Sequence, residues 1–309
     1  MRLLAAVLAL AALPAAAEPA VKIVAAKEKG WAKLVATSAT YEIQSDAESK
    51  TLQQVATMLE DLHRAFVVTF KDRIKSEEAR ELLQVRFYKT RKVFLANMQM
   101  GGPGGPGGAA GGPPGGPGGK GGGPQMPGGG DGGPGGYYDP GTKTLHTGLE
   151  QPAGDDWMFV LKHEATHQLL HNRLSIGGGQ PGASSAIWFN EGFASYWAMT
   201  VWKGKEIVEG GVMKKLLDEC KQMESSKTLV PLKTLIGGAP NPMQMKAYYS
   251  EGWALCHFLR SGKYREKFAA YLDKERAGKI SWDDFTESLG IKDAEVFEKE
   301  FIAHFKALK

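Results

Sequence analysis

His163-Glu164-Ala165-Thr166-His167, followed at a distance by Trp188-Phe189-Asn190-Glu191-Gly192, is the part of this chain from which its fold and chemistry are read. Two histidines four apart on a helix project from one face about one turn apart, so both imidazoles can reach a single metal ion. The Glu between them then faces the metal's open position, where it can take a proton from zinc-bound water. Glu191 is the natural third ligand, which makes His163, His167 and Glu191 the candidate Zn2+ set and Glu164 the candidate base. The flanks support the helix this needs. Asp155-Asp156 form a cap-like acidic start, and Trp157, Val160, Leu161, Ala165 and Leu169 follow at helical spacing. Nothing from Asp155 to Arg173 breaks the helix, and Gly177-Gly178-Gly179 with Pro181 end the region. A second helix from about Ala183 to Val201 carries Glu191.

These two segments, the second extended through Phe193-Ala194-Ser195-Tyr196, resemble the gluzincin metallopeptidases, in particular the aminopeptidase-like branch and the bacterial peptidase MA-like families. In that group the helix after the metal helix donates a Glu from an Asn-Glu-Gly motif, which falls on Glu191. The segment Tyr248-Tyr249-Ser250-Glu251-Gly252-Trp253-Ala254-Leu255 is similar to the group's third motif, in which a Tyr three residues before a small residue hydrogen-bonds the developing oxyanion. Adjacent helical residues point about 100° apart, so only one of Tyr248 and Tyr249 can face the metal. The motif match selects Tyr249. The resemblance covers 155–202 and 246–260, with two departures. There is no Gly-x-Met-Glu-Asn segment of the kind that binds a free amino terminus. Ser195 also stands four after Glu191, where thermolysin-like enzymes have an Asp that orients a ligand His, so that ring must be held by another arrangement.

Composition bounds the setting. Met1-Arg2, the apolar run Leu3–Leu13, Pro14 and Ala15-Ala16-Ala17 read as a removable Sec signal over residues 1–17, cleaved near Ala17. The run is too short for a bilayer span of about 20 apolar residues, and no later segment qualifies. An exported protein, periplasmic or extracellular, is expected, without an integral membrane span. Cys220 and Cys256 could form one disulfide or stay as two buried thiols, and spacing does not decide between them. The net charge of +4 over 309 residues gives no reason to invoke nucleic acid or an anionic membrane.

Organisation changes sharply at residue 101. Gly101–Gly136 is almost entirely Gly and Pro, cannot bury apolar surface to offset chain entropy, and is expected to be disordered. As a flexible coil it would span about 30–35 Å, enough to hang across a cleft. Before it, Ala39–Ser45 reads as a strand, and Leu52, Val55, Leu59, Leu62, Phe66 and Phe70 mark a long amphipathic helix. Leu83–Tyr88 alternates like a half-buried strand, and Arg91–Met100 forms a short helix. After it, Tyr137–Thr147 reads as a hairpin around Asp139-Pro140-Gly141. In the related peptidases the strand just before the metal helix is an edge strand over the cleft, with which an extended peptide can pair. Val208–Met223, Met245–Arg260, Tyr264–Arg276, Ser281–Leu289 and Glu295–Leu308 all read as helices.

The fold expected is α+β and zincin-like: a small mixed sheet with helices in the amino-terminal half, a helical carboxyl-terminal half, and the zinc site between them. Its parts are the signal (1–17), an α+β part (18–100), the Gly/Pro-rich insert (101–136), the edge hairpin with the metal helices (137–205) and a helical part (206–309). About 255 residues outside signal and insert suffice for one large or two small cooperating subdomains. His171, four beyond His167, reads as a surface or supporting His, and His146 as an exposed His on the edge strand. Tyr196, Trp188, Phe189, Phe193, Trp197 and Trp202 read as core around the metal helices, as do Trp253, Phe258 and Tyr271. The expected function is a secreted zinc metallopeptidase acting on a peptide or protein substrate. The rival reading is a non-catalytic exported binding or surface-matrix protein in which zinc is structural and the Gly/Pro tract is the working part. Against it, a structural zinc usually closes its fourth position with protein and has no use for a Glu base.

Overall fold

The computed structural model describes residues 20–28, 30–74, 81–100, 134–152, 155–177, 186–204, 206–238 and 241–309. The signal expected over 1–17 and all but the end of the Gly/Pro insert lie outside the described residues. The chain is α+β, with a six-stranded mixed sheet and ten α-helices among those residues. β1 (Lys22–Ala25), β2 (Leu34–Thr37) and β3 (Tyr41–Ser45) form an antiparallel meander. α1 (Ser49–Phe70) then crosses to β4 (Leu83–Tyr88), which pairs parallel to β3. α2 (Arg91–Met100) follows, and β5 (Gly136–Asp139) with β6 (Thr144–Gly148) makes the hairpin. β6 pairs parallel to β4, giving the order β1-β2-β3-β4-β6-β5.

Pattern explains these elements. In α1, Leu52, Val55, Leu59, Leu62, Phe66 and Phe70 are buried at three- and four-residue spacing, forming one apolar stripe. Tyr41 and Ile43 of β3, with Leu83, Val85 and Phe87 of β4, alternate inward. Burying each such large side chain stabilises by about 1.5–3 kcal/mol. The same core runs on into the carboxyl-terminal half: Phe66 and Phe70 lie against Trp197, with ring centroids 5.6 and 5.3 Å apart.

α3 (Trp157–Leu174) starts where Asp156 accepts a hydrogen bond from the Met158 N–H at 3.0 Å. It ends before the glycines, at Ser175, whose left-handed φ of 53° turns the chain. α4 (Ile187–Ala198) leads into a two-stranded ribbon, β7 (Val201–Trp202) and β8 (Ile207–Val208). Next come α5 (Lys214–Ser225), α6 (Leu232–Gly237) and α7 (Met245–Arg260). α8 (Arg265–Arg276), α9 (Trp282–Leu289) and α10 (Ala294–Ala307) complete the chain.

Four expectations are corrected. The helix expected from Val208 begins at Lys214, because Gly210 takes φ 55° and its N–H donates to Thr200 Oγ1 at 3.1 Å. The insert is ordered at its end, since Pro134 accepts a hydrogen bond from Arg91 Nη1 at 3.1 Å and Gly136 pairs with Thr147. The edge of the sheet is β5, whereas β6, the strand directly before α3, lies inside. His146 is consequently 5 % exposed on β6, stacked 4.5 Å from the Tyr137 ring with its Nδ1 3.1 Å from Tyr88 Oη. Cys220 and Cys256 are both buried free thiols. No described helix is long and apolar enough to cross a membrane.

Candidate metal centre

The centre is built by three helices and one strand. His163 and His167 stand one turn apart on α3, Glu191 comes from α4, Tyr249 from α7, and β5 closes the side. α4 and α7 cross glycine on glycine: a Cβ at Gly192 would stand 2.2 Å from the Gly252 carbonyl carbon, and one at Gly252 would stand 2.5 Å from the Trp188 carbonyl oxygen. Only hydrogen at both positions permits this approach, which sets Glu191 and Tyr249 beside the histidines.

A clamp from α8 holds both ends of the α3–α4 connection. Arg276 Nε donates to the Leu174 carbonyl at the end of α3 (2.6 Å), and Glu275 Oε2 accepts from the Ala186 N–H at the start of α4 (3.2 Å). A cation at a helix C-terminus and a carboxylate at a helix N-terminus each complement the helix dipole. Neighbouring residues thus fix the two metal-ligand helices relative to each other.

His163 Nε2 and His167 Nε2 are 3.1 Å apart, and Glu191 Oε2 is 3.3 Å from the first and 3.5 Å from the second. Ligand atoms about 2.0–2.1 Å from a tetrahedral zinc stand about 3.3–3.4 Å from one another, so this nitrogen, nitrogen and oxygen set fits such an ion. The other ring nitrogens are committed elsewhere. His167 Nδ1 donates to Asn190 Oδ1 at 3.2 Å, which leaves Nε2 with its lone pair. His163 Nδ1 stands 3.3 Å from Ser195 Oγ, and donating there leaves its Nε2 in the same state. With both rings neutral, two imidazole lone pairs at 3.1 Å repel unless a proton or a metal ion lies between them. Ser195 and Asn190 thus stand where they would orient the two rings, the part for which the sequence offered no Asp. Ser195→Ala and Asn190→Ala are each expected to weaken zinc binding about 10- to 100-fold, as read by competition with a chelator; unchanged affinity would deny both residues this role.

Electrostatics mark the same place. Burial pulls the His167 imidazole down, but the Glu191 carboxylate beside it more than reverses this and raises its pKa. Burial pushes Glu191 up, and His167 with His163 hold it well below the usual carboxylate range. Burial also raises the Glu164 carboxyl against the pull of both histidines. Glu164 is 3 % exposed and accepts the backbone N–H of Tyr138 on the edge strand β5.

Tyr249 lies with its ring stacked on His163, centroids 6.0 Å apart, and its hydroxyl donates to Glu191. Burial above all keeps that hydroxyl protonated, raising it well past its ordinary value. Tyr248 turns away. Its hydroxyl accepts from the Asn241 N–H at 3.1 Å, and its ring lines a separate cavity of about 550 Å³ with Ala186, Leu235 and Ile280. A cleft of about 190 Å³ opens on the cluster, lined by Glu164, His167, Asn190 and Glu191, by Tyr137, Tyr138 and Pro140 of the hairpin, and by His171. His171, read from the sequence as a surface or supporting His, therefore belongs to the cleft wall. Among the described residues, His163, His167 and Glu191 are the one group of three side chains placed to share a metal ion.

Residues 158–280 match the model of a family described as a protein of unknown function (DUF1570), less than half of the chain but including every residue of the cluster and Tyr249. No curated protein matches the chain.

Proposed function

We propose that the protein is an exported zinc-dependent metallopeptidase of gluzincin type, with the zinc site between a zincin-like sheet half and the helical half. The observation that carries this is the set of three ligand atoms 3.1–3.5 Å apart, with both histidine Nδ1 atoms tied to Asn190 and Ser195 and a buried Glu164 alongside. His163, His167 and Glu191 would hold the metal, which when bound supplies an acidified water and a polarised substrate carbonyl. Glu164, its basicity raised by burial, would accept a proton at its carboxylate from the attacking water and deliver it to the leaving amine. Tyr249, which stays protonated, moves its hydrogen bond from Glu191 to the oxygen on which negative charge develops. The outer edge of β5 would align an extended peptide beside Glu164, backbone against backbone.

The combination argues against a structural zinc, since such a site has no use for a buried carboxylate base facing an open cleft. The test is metal content by mass spectrometry on purified 18–309, with a quenched-peptide library assay. About one zinc per chain with cleavage supports the proposal, and a chain without zinc refutes it. Tyr249→Phe is expected to retain zinc and lose about 100- to 1,000-fold in kcat; full activity in that variant would remove Tyr249 from the chemistry.

A further inference from the structure

The face of α3 that carries Glu164 and His167 continues one turn on to His171, since positions i, i+3 and i+7 share a side of a helix, and all three line the cleft. The hydrogen bonds around His171 offer one arrangement in which every donor has a protein acceptor. Asn172 Nδ2 donates to the Gln168 carbonyl at 2.9 Å, which orients the amide, and its second hydrogen goes to Tyr138 Oη at 2.8 Å. Tyr138 Oη in turn stands 2.6 Å from His171 Nδ1. In that arrangement Tyr138 Oη accepts from Asn172 and donates its own hydrogen to His171 Nδ1, which puts the His171 proton on Nε2. Burial first, and the Lys143 charge second, lower the His171 pKa, so the ring is neutral near pH 7. This arrangement presents an N–H donor in the wall of the cleft.

We infer that His171 is a substrate-binding residue, whose Nε2–H donates to a backbone carbonyl of the bound peptide away from the scissile bond. The inference rests on the peptidase reading and deepens it. Four residues of helix place His171 about 6 Å along the axis from His167. An extended peptide advances about 3.3 Å per residue, so the carbonyl it binds lies roughly two residues from the bond that is cut. Tyr138 and Asn172 act through His171 and are positioning residues: they hold the tautomer, and Tyr138 also belongs to the edge strand on which the peptide lies.

The experiment uses zinc-loaded Glu164→Gln protein as the scaffold, and as probe a fluorescein-labelled decapeptide centred on a bond that the native protein cuts in the library assay. Fluorescence anisotropy gives its Kd. Adding His171→Phe is expected to weaken binding about tenfold, as losing one buried hydrogen bond does, and His171→Gln, which restores an N–H donor, to recover most of it. Two shortened peptides, each trimmed at one end to the residue beside the scissile bond, add a readout that a merely structural His171 would not move. The one that has lost the bound carbonyl should bind equally with and without His171. Equal Kd for the full decapeptide on the His171→Phe protein overturns the inference and leaves the peptidase reading standing. A library in which the zinc-loaded native protein cuts nothing overturns the peptidase reading and this inference with it.

Discussion

Glu164→Gln is expected to leave a protein that folds, binds zinc with an affinity within about threefold of the native one, and cuts peptides about 100- to 10,000-fold more slowly, the range for losing a general base. The geometry gives reasons for each part. Glu164 is not a member of the ligand set, whose three atoms come from His163, His167 and Glu191. The amide is an isostere, so its oxygen still accepts the Tyr138 N–H and its stem still packs on Gly136, where even a Cβ would come within 3.0 Å of Glu164 Cγ. What the amide cannot do is take a proton. A buried carboxylate of raised pKa is a stronger base than an exposed one, and among the described residues the cleft is lined by no other carboxylate except Glu191, which belongs to the candidate ligand set. His163→Ala, in contrast, should lose metal and turnover together. Undiminished cleavage by zinc-loaded Glu164→Gln would sink the mechanism, whatever the metal content.

Much of this arrangement is legible in the sequence because it is local. A ligand pair at four-residue spacing, an Asp156 cap and apolar residues at helical period all lie within one helix, and α3 follows them. Ser195 is four residues after Glu191, so helical phase alone puts both on one side of α4, and that was the signal for its contact with His163. The positions that escaped are set by partners distant in the chain. Glu275 and Arg276 end a helix whose apolar spacing says nothing of them, yet they grip Ala186 and Leu174, 89 and 102 residues away. His146 alternates like an edge residue, and only the parallel pairing of β6 with β4 puts it inside the sheet. The short α6 holds too few turns for a period to show, and the mostly exposed β1 has no alternation to read. The start of α5 was recoverable, since Gly210-Gly211 marks the turn that delays it.

Gly252→Ala and Gly192→Ala are expected to be strongly damaging methyl additions at the contact between α4 and α7. The obstacle at each is backbone, which cannot swing aside as a side chain can: the Trp188 carbonyl oxygen for Gly252 and the Gly252 carbonyl for Gly192. Relief requires α4 and α7 to separate by an appreciable fraction of an ångström, and a core packed at crystal density does not yield without losing contacts elsewhere. Overpacking usually costs about 1–3 kcal/mol, and a backbone collision falls at the top of that range or beyond. A loss of about 3 kcal/mol would lower Tm by roughly 6–12 °C. The functional consequence goes further than stability. Glu191 precedes Gly192 directly and Tyr249 is three residues before Gly252, so moving the two helices apart draws the third ligand and the hydroxyl donor away from His163 and His167 together. Zinc affinity should therefore fall even at temperatures where the variants remain folded, as circular dichroism and chelator competition would show. Gly30→Ala, where an added Cβ meets nothing within 4 Å, serves as the control and should change stability by less than about 0.5 kcal/mol. Native Tm and native zinc affinity in both helix variants would mean that the α4–α7 contact does not set the spacing of the metal centre.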